Sequence, residues 1–196
     1  MTMTASRTPV SDLTARIVDA ADTLYYARGF QAVGMDEVRS AAGVSLKRLY
    51  QEFPSKEALV LAVLRSRHAM WDEGVAAAVE AAVEPKDKLL AIYDYLSSWF
   101  ADDSFRGCGF INAFGELGTV FPSVAQLARE HKESFQRYVA ALVAGAGASP
   151  ALAPQLALLA EGAQTTAAIS GNADAATHAR AAAATLIDAA LPGPAS

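Results

Sequence analysis

The chain has 196 residues, 53% of them hydrophobic, and 16 Lys or Arg against 21 Asp or Glu give it a net charge of −5. That is ample apolar material for a buried core in one or two domains, while the acidic total argues at first sight against a nucleic-acid partner. The single cysteine, Cys108, excludes an internal disulfide framework and supplies no zinc motif, which points to a reducing cytoplasm.

Residues 1–10 read as a disordered arm, polar and without the apolar core of a secretion signal. Leu13, Ile17, Ala20, Ala21, Leu24 and Ala27 then recur with helical period and predict a helix of about 17 residues that stops at Gly29. Met35, Val38, Ala41 and Ala42 give a short second helix one apolar face, and Gly43 supplies the permissive backbone for the turn after it. Ser45 is placed to cap a third helix whose apolar side is Leu46, Leu49 and Phe53, at i, i+3 and i+7, and Pro54 ends it. Lys47, Arg48, Tyr50 and Gln51 are left pointing elsewhere, two cationic and two able to hydrogen-bond. Two short helices joined by a Gly turn, the second with such a face, form a helix-turn-helix pattern.

Ser55 caps the next helix, which Leu59, Val60, Val63, Leu64 and Trp71 extend toward residue 82, long enough to link a small head to the rest of the chain. Pro85 opens a helix through about Phe100, with Leu89, Ile92, Tyr93 and Leu96 in its apolar stripe. Four glycines among aromatics between Phe105 and Phe121 predict a short, irregular helix close to a cavity. From Pro122 a long amphipathic helix carries Val124, Leu127, Ala128, His131, Phe135, Tyr138, Val139 and Leu142. Two alanine-rich helices, about 150–170 and 173–191, complete the pattern. The uncharged run between Arg137 and Glu161 is long enough to span a bilayer, but Gly145, Gly147, Ser149, Pro150 and Pro154 break it, so no membrane span is expected.

Arg28-Gly29-Phe30, Met35-Asp36-Glu37-Val38, Ala41-Ala42-Gly43-Val44-Ser45 and Leu49-Tyr50-x-x-Phe53-Pro54-Ser55-Lys56-Glu57-Ala58-Leu59, in this joint spacing over residues 11–64, resemble the TetR family of transcriptional regulators (TetR/AcrR-like). The resemblance implies an all-α fold of about nine helices, with a three-helix DNA-binding head over 11–54 and a ligand-sensing and dimerisation body over 55–196. It implies a homodimer on a double-stranded DNA operator, most simply a repressor released by a small, mainly apolar effector, with no cofactor or metal. The charge distribution agrees: residues 1–67 hold 9 Lys or Arg against 7 Asp or Glu, whereas 68–196 hold 7 against 14. An acidic body with a mildly basic head suits a protein that meets DNA with one end.

Ser45 can offer its hydroxyl or amide to a phosphate. Tyr50 and Lys56 match family positions that touch the DNA backbone, although Tyr50 could equally pack inside the head. Leu46, Lys47 and Arg48 depart from the family pattern, which commonly has a polar residue followed by small ones. Arg48 is placed for a bidentate pair with guanine, and the alternative is that Lys47 and Arg48 only touch phosphates. Ser40 and Arg39 are weaker candidates.

In the body, Trp99, Phe100, Phe110, Phe135 and Tyr138 are expected to wall a cavity in which Asn112, Glu116 and His131 orient a ligand, with Cys108 beside them. Each has an ordinary alternative: a core histidine, a carboxylate paired with an arginine, plain aromatic packing, an inert thiol. The small faces of the last two helices, Leu156, Leu159, Ala163 and Thr166 with Ala179, Ala183 and Leu186, are expected at the dimer interface by resemblance, the alternative being an intrachain core. No phosphate-binding Gly loop, paired metal motif or nucleophile elbow occurs, so no catalytic residue is assigned and no enzyme is expected. The rival reading is a small-molecule-binding or interaction protein whose helix-turn-helix is degenerate at Leu46 to Arg48.

Overall fold

The structure is a computed structural model and describes residues 12–191; the expected N-terminal arm lies outside the described residues. These residues form nine α-helices: α1 (Asp12–Arg28), α2 (Met35–Ala42), α3 (Leu46–Glu52), α4 (Lys56–Glu80), α5 (Pro85–Phe100), α6 (Gly109–Leu117), α7 (Pro122–Gly145), α8 (Leu152–Ser170) and α9 (Asp174–Ala190). The fold is all-α, as the periodicity and the family resemblance both lead one to expect.

Local chemistry sets the boundaries. Gly29, at φ 95°, stops α1 in the left-handed region that side chains avoid. Ser45 and Ser55 cap α3 and α4, accepting the Arg48 and Ala58 N–H at 3.2 and 3.1 Å. Pro85 and Pro122 stand at the first position of α5 and α7, where the missing N–H costs nothing. The stretch 105–121, expected to be irregular, holds a regular helix. Its glycines act mainly at the ends: Gly107, at φ 85°, turns the chain before α6 and Gly118 follows its last turn.

Two apolar clusters meet along α4. The first joins Ile17, Ala21, Phe30, Val38, Leu49 and Phe53 of the head to Leu59, Val63 and Leu64 of α4, then runs on to Phe110, Ala113 and Leu117 of α6 and Val124 of α7. The second takes Val75 and Val79 from the far half of α4 with Leu89, Ile92, Tyr93 and Leu96 of α5, Val139 of α7, Leu156 and Ala160 of α8, and Ala176, Ala183 and Ile187 of α9. At 25 residues, α4 is roughly 37 Å long, so one rigid rod belongs to both.

Two sequence expectations are corrected inside these clusters. Leu46 is 40% exposed and Ala41 is exposed, because α2 and α3 are only two turns each and Val38, Ala42, Leu49 and Phe53 already fill the space beneath them. The alanine-rich faces of α8 and α9 turn inward: Leu156, Ala163, Ala179 and Ala183 are buried within their own chain, Leu159 and Leu186 are half-buried, and only Thr166 of the expected interface set is exposed. Small residues permit close helix approach, and here α8 and α9 use them against each other and against α5. The outward stripe of α8 is instead Gln155, Leu158, Gly162, Thr165 and Ile169, with Leu158 and Ile169 at 72% and 83% exposure.

Tyr93 places a hydroxyl in the second cluster, where it donates to the Leu156 carbonyl at 2.8 Å and stitches α5 to α8. Tyr93→Phe is expected to lower the unfolding free energy by about 1 kcal/mol, read as a lower urea midpoint with unchanged slope.

Candidate functional site

The outer side of α3 is the first candidate surface. The α2 end is closed by Gly43 at φ 65°, with the Val44 N–H returning to the Arg39 carbonyl at 3.0 Å, while Arg16 of α1 donates to the Ala42 carbonyl at 2.9 Å. This fixes α3 against α1 and α2 through buried Leu49 and leaves Lys47, Arg48, Tyr50 and Gln51 in solvent. Tyr50 is 45% exposed, which removes the reading that it packs inside the head. Arg48 is committed locally, pairing with Glu52 at 2.9 Å and reaching Gln51 at 3.4 Å. Glu52 also accepts the Thr14 hydroxyl at 2.9 Å, so α1 and α3 share that carboxylate. Lys47 makes no ion pair with a described residue. Ser45 spends an acceptor site on capping, and Ser40 donates to the Asp36 carbonyl of its own helix at 3.0 Å. Lys56 donates to the Gln31 carbonyl at 3.0 Å and lies 5.9 Å from the Tyr25 ring centre, so it also holds the α1–α2 loop; desolvation lowers its pKa, opposed by Glu116 and Glu37.

A set of polar contacts fastens this head to the body. Arg67 of α4 grips Asp22 of α1 with two nitrogens and lies flat over Tyr26, its guanidinium carbon 3.6 Å from the ring centre. Tyr26 donates to the Gly107 carbonyl at 2.7 Å and accepts the Arg106 N–H at 2.9 Å, tying α1 to the turn before α6. Glu116 of α6 accepts the Gln31 N–H at 2.7 Å, and Ser123 of α7 donates to Glu57 of α4.

Beside Arg67 lies a cavity of about 190 Å³ lined by Arg67, Met70 and Trp71 of α4, Tyr95 and Trp99 of α5, Cys108 and the start of α6, His131 of α7 and Gln164 of α8. The rings pack mostly edge to face: Trp71 meets Tyr95, Trp99 and Phe135 at centre distances of 5.5, 5.6 and 5.6 Å. Phe110 instead stacks on His131 at 3.8 Å. His131 is within hydrogen-bond distance of His68, Nδ1 to Nδ1 at 3.0 Å, and His68 lies 3.4 Å from Asp72. Lys132, next in sequence, pairs with Glu161 at 3.4 Å and reaches the Cys108 sulfur at 3.9 Å.

Of the residues expected at a ligand site, Trp99, Cys108, Phe110 and His131 converge on this cavity, and Phe135 and Tyr138 line a neighbouring hollow that shares Trp71. Phe100, Asn112 and Glu116 are elsewhere. Phe100 packs on Phe105 at 4.8 Å, Asn112 donates to the Arg106 carbonyl at 3.1 Å, and Glu116 is spent on the head. The reason is helical phase: on α6, Phe110 turns toward α7 while Glu116, more than a turn later, comes round under the α1–α2 loop. Sequence reasoning missed Arg67, Met70, Tyr95 and Gln164, and gave Trp71 to packing alone. The spacing 67, 70, 71 on one face of α4 held a signal, whereas nothing adjacent in sequence marks Gln164.

Comparison with known proteins places this geometry in a group. Residues 17–63 match the profile of bacterial regulatory proteins of the tetR family. Over 99 residues, half of this chain and 45% of the other, the sequence is 33% identical to the HTH-type transcriptional activator FasR of Mycolicibacterium smegmatis. Over 76 residues it is 36% identical to the HTH-type transcriptional regulator BetI of Rhizobium meliloti, covering 37% of that protein. The matched stretch thus spans less than half the length of these curated relatives. Among solved structures, a TetR-family transcriptional regulator from Streptomyces coelicolor superposes with a TM-score of 0.86 at 24% identity, covering 93% of this chain and 97% of the other. A tetR-type regulator from Streptomyces avermitilis gives 0.78 at 28% identity, covering 92% and 98%.

Burial first, then the Lys132 charge and His68, hold the His131 pKa down at about 3 against an ordinary 6.5. The folded chain therefore keeps this imidazole neutral, while the unfolded chain takes up a proton below about 6.5. The stability that depends on the neutral ring is complete above that pH and is lost as pH falls toward 3. Unfolding free energy is expected to drop by about 1 kcal/mol from this group between pH 7 and 5.5, and His131→Leu should flatten that part of the urea-midpoint profile.

Proposed function

This chain belongs to the TetR family of bacterial regulatory proteins, and from that premise we propose that it is a DNA-binding transcriptional regulator, a homodimeric repressor released from a palindromic operator by a small effector in the cavity beside Arg67. The observation that carries the reading is one rigid helix serving both ends. The α4 rod packs on α3's support through Leu59 and Leu64 and lines the cavity with Arg67, Met70 and Trp71.

In this mechanism each α3 enters a major groove, with Ser45, Tyr50 and Lys47 against phosphates and Arg48 at a base edge. Arg48 must then exchange Glu52 for guanine, so the net gain is smaller than for a free arginine. The two subunits meet through the outward faces of α8 and α9. Leu158 and Ile169 give that contact its apolar centre, since the inward residues are already used by the chain's own core. Effector binding changes the spacing of the two heads only to the extent that the ligand prefers one spacing over the other. Cytoplasmic residence follows from this role, and none of the described helices is long and apolar enough to cross a membrane. One relative, FasR, is named an activator, so the sign of regulation is the part of this reading that the reporter below decides.

Selection from a library of random duplexes is expected to enrich a palindrome. Arg48→Ala should relax the preference at one symmetric pair of positions at a cost of about 1–3 kcal/mol per contact, and Lys47→Ala should weaken all sequences alike with a shallower salt dependence. Failure to enrich any sequence at low salt would overturn the regulator reading and leave a binding module with a degenerate helix-turn-helix. Separately, Leu158→Glu with Ile169→Glu should shift the protein to a monomer by light scattering and abolish operator binding at concentrations where the parent is fully bound. A dimer that survived both changes would move the interface elsewhere. A reporter under the selected operator should be silenced by the parent and relieved by Arg48→Ala; activation instead would reverse the sign.

A further inference from the structure

We infer that the cavity beside Arg67 takes a flat, uncharged arene of one or two fused rings bearing one hydroxyl or carbonyl, and discriminates against carboxylates and long alkyl chains. This rests on the effector reading above and adds the ligand's chemical class.

Size and shape come first. An apolar cavity of about 150 Å³ accepts benzene, and this one, at about 190 Å³, has room for slightly more. Its walls are Trp71, Tyr95, Trp99 and Phe110, set mostly edge to face around the space, an arrangement that receives another ring's face or edge. A flexible alkyl chain would forfeit those ring contacts and lose conformational freedom on entering.

Charge comes second. Two basic side chains line the cavity, and neither is a free cation. Arg67 is held by both carboxylate oxygens of Asp22 and covered by Tyr26. His131 is buried, bonded to His68 through Nδ1, stacked on Phe110, and kept neutral by its surroundings. Just behind the wall, Lys132 pairs with one oxygen of Glu161, whose other oxygen has no partner among the described residues, and Asp72 stands by His68 in the adjoining hollow. An anion entering here would lose its water and find its only arginine already paired, and a cation would find no carboxylate on the cavity wall itself.

The polar anchor is the third element. Gln164 is only 3% exposed, yet its side chain borders the cavity and makes a single, long bond, to the Ala160 carbonyl of its own helix at 3.4 Å. The rest of its amide has no partner among the described residues. That leaves the amide free to bond to something in the cavity, and one hydroxyl or carbonyl on the ligand does so.

The test is calorimetric titration of the full chain at pH 7.5, without DNA, with 2-naphthol, 2-naphthoate and decanoate. The expected result is saturable one-to-one binding of 2-naphthol, at least tenfold tighter than either acid. Gln164→Leu and the near-isosteric Gln164→Met should each weaken 2-naphthol at least fivefold while their circular-dichroism melts stay cooperative; if one variant fails to fold, the other carries the comparison. Naphthoate or decanoate binding as tightly as 2-naphthol would overturn the charge argument and make Arg67 an anion receiver. Absence of 2-naphthol binding would overturn the arene assignment, and full affinity in a folded Gln164 variant would overturn the anchor. Because binding is read without DNA, these failures are distinct from failure of the regulator reading, which the duplex selection alone decides.

Discussion

The rest of the molecule hangs on the Arg67–Asp22 pair. Arg67 leaves α4 near its middle, where the head's core gives way to the body's. Its guanidinium reaches back to α1 and lies over Tyr26, and the residue also lines the cavity. It passes close to Gly109, where a Cβ would stand 3.0 Å from the Arg67 Cδ and press on the side chain. The pair is partly buried, with side-chain exposures of 15% and 22%, and burial raises the Asp22 pKa even against the pull of Arg67. In such a setting the attraction is largely offset by desolvation, so the pair contributes more to position than to stability. It ties α1 to the middle of α4.

Around it, the polar contacts between head and body are spread over three elements: Tyr26 on the turn before α6, Glu116 of α6 beneath the α1–α2 loop, and Ser123 of α7 on Glu57. The apolar cluster they surround runs without a break from Ile17 to Val124. A continuous core resists separation of head from body, whereas directional hydrogen bonds at its margin can exchange partners at small cost. One nine-residue helix, α6, supplies Phe110 to the cavity wall and Glu116 to the head. Glu116 is therefore better understood as a link than as a ligand.

Helix chemistry and patterning made most of the fold legible. Gly29, Gly43, Ser45, Ser55, Pro85 and Pro122 are residues whose backbone or side-chain chemistry acts within a few positions, and each marks the helix boundary it was expected to mark. The 3.6-residue stripes on α1, α5 and α7 likewise identify buried faces, because an amphipathic helix has one side to bury. Legibility failed where a helix is short or its sides are chemically alike. On α3, Leu46 is apolar and exposed, and on α8 and α9 alanines surround much of the helix, so composition gave no direction to the inward face.

The sequence by itself thus determined the class, the helix order, the head with its capped α3 and exposed Lys47, Arg48 and Tyr50, and the family resemblance that residues 11–64 carry. These are properties of neighbours in the chain, governed by local sterics, capping and periodicity. Only the tertiary structure decided that Arg67, Trp71, Tyr95, His131 and Gln164 share one cavity, that Glu116 belongs to the head, and that Leu158 and Ile169 rather than Leu156 and Ala163 face outward. Those outcomes depend on the rotation of each helix about its axis once five of them pack together, and that rotation is set by the sum of distant contacts.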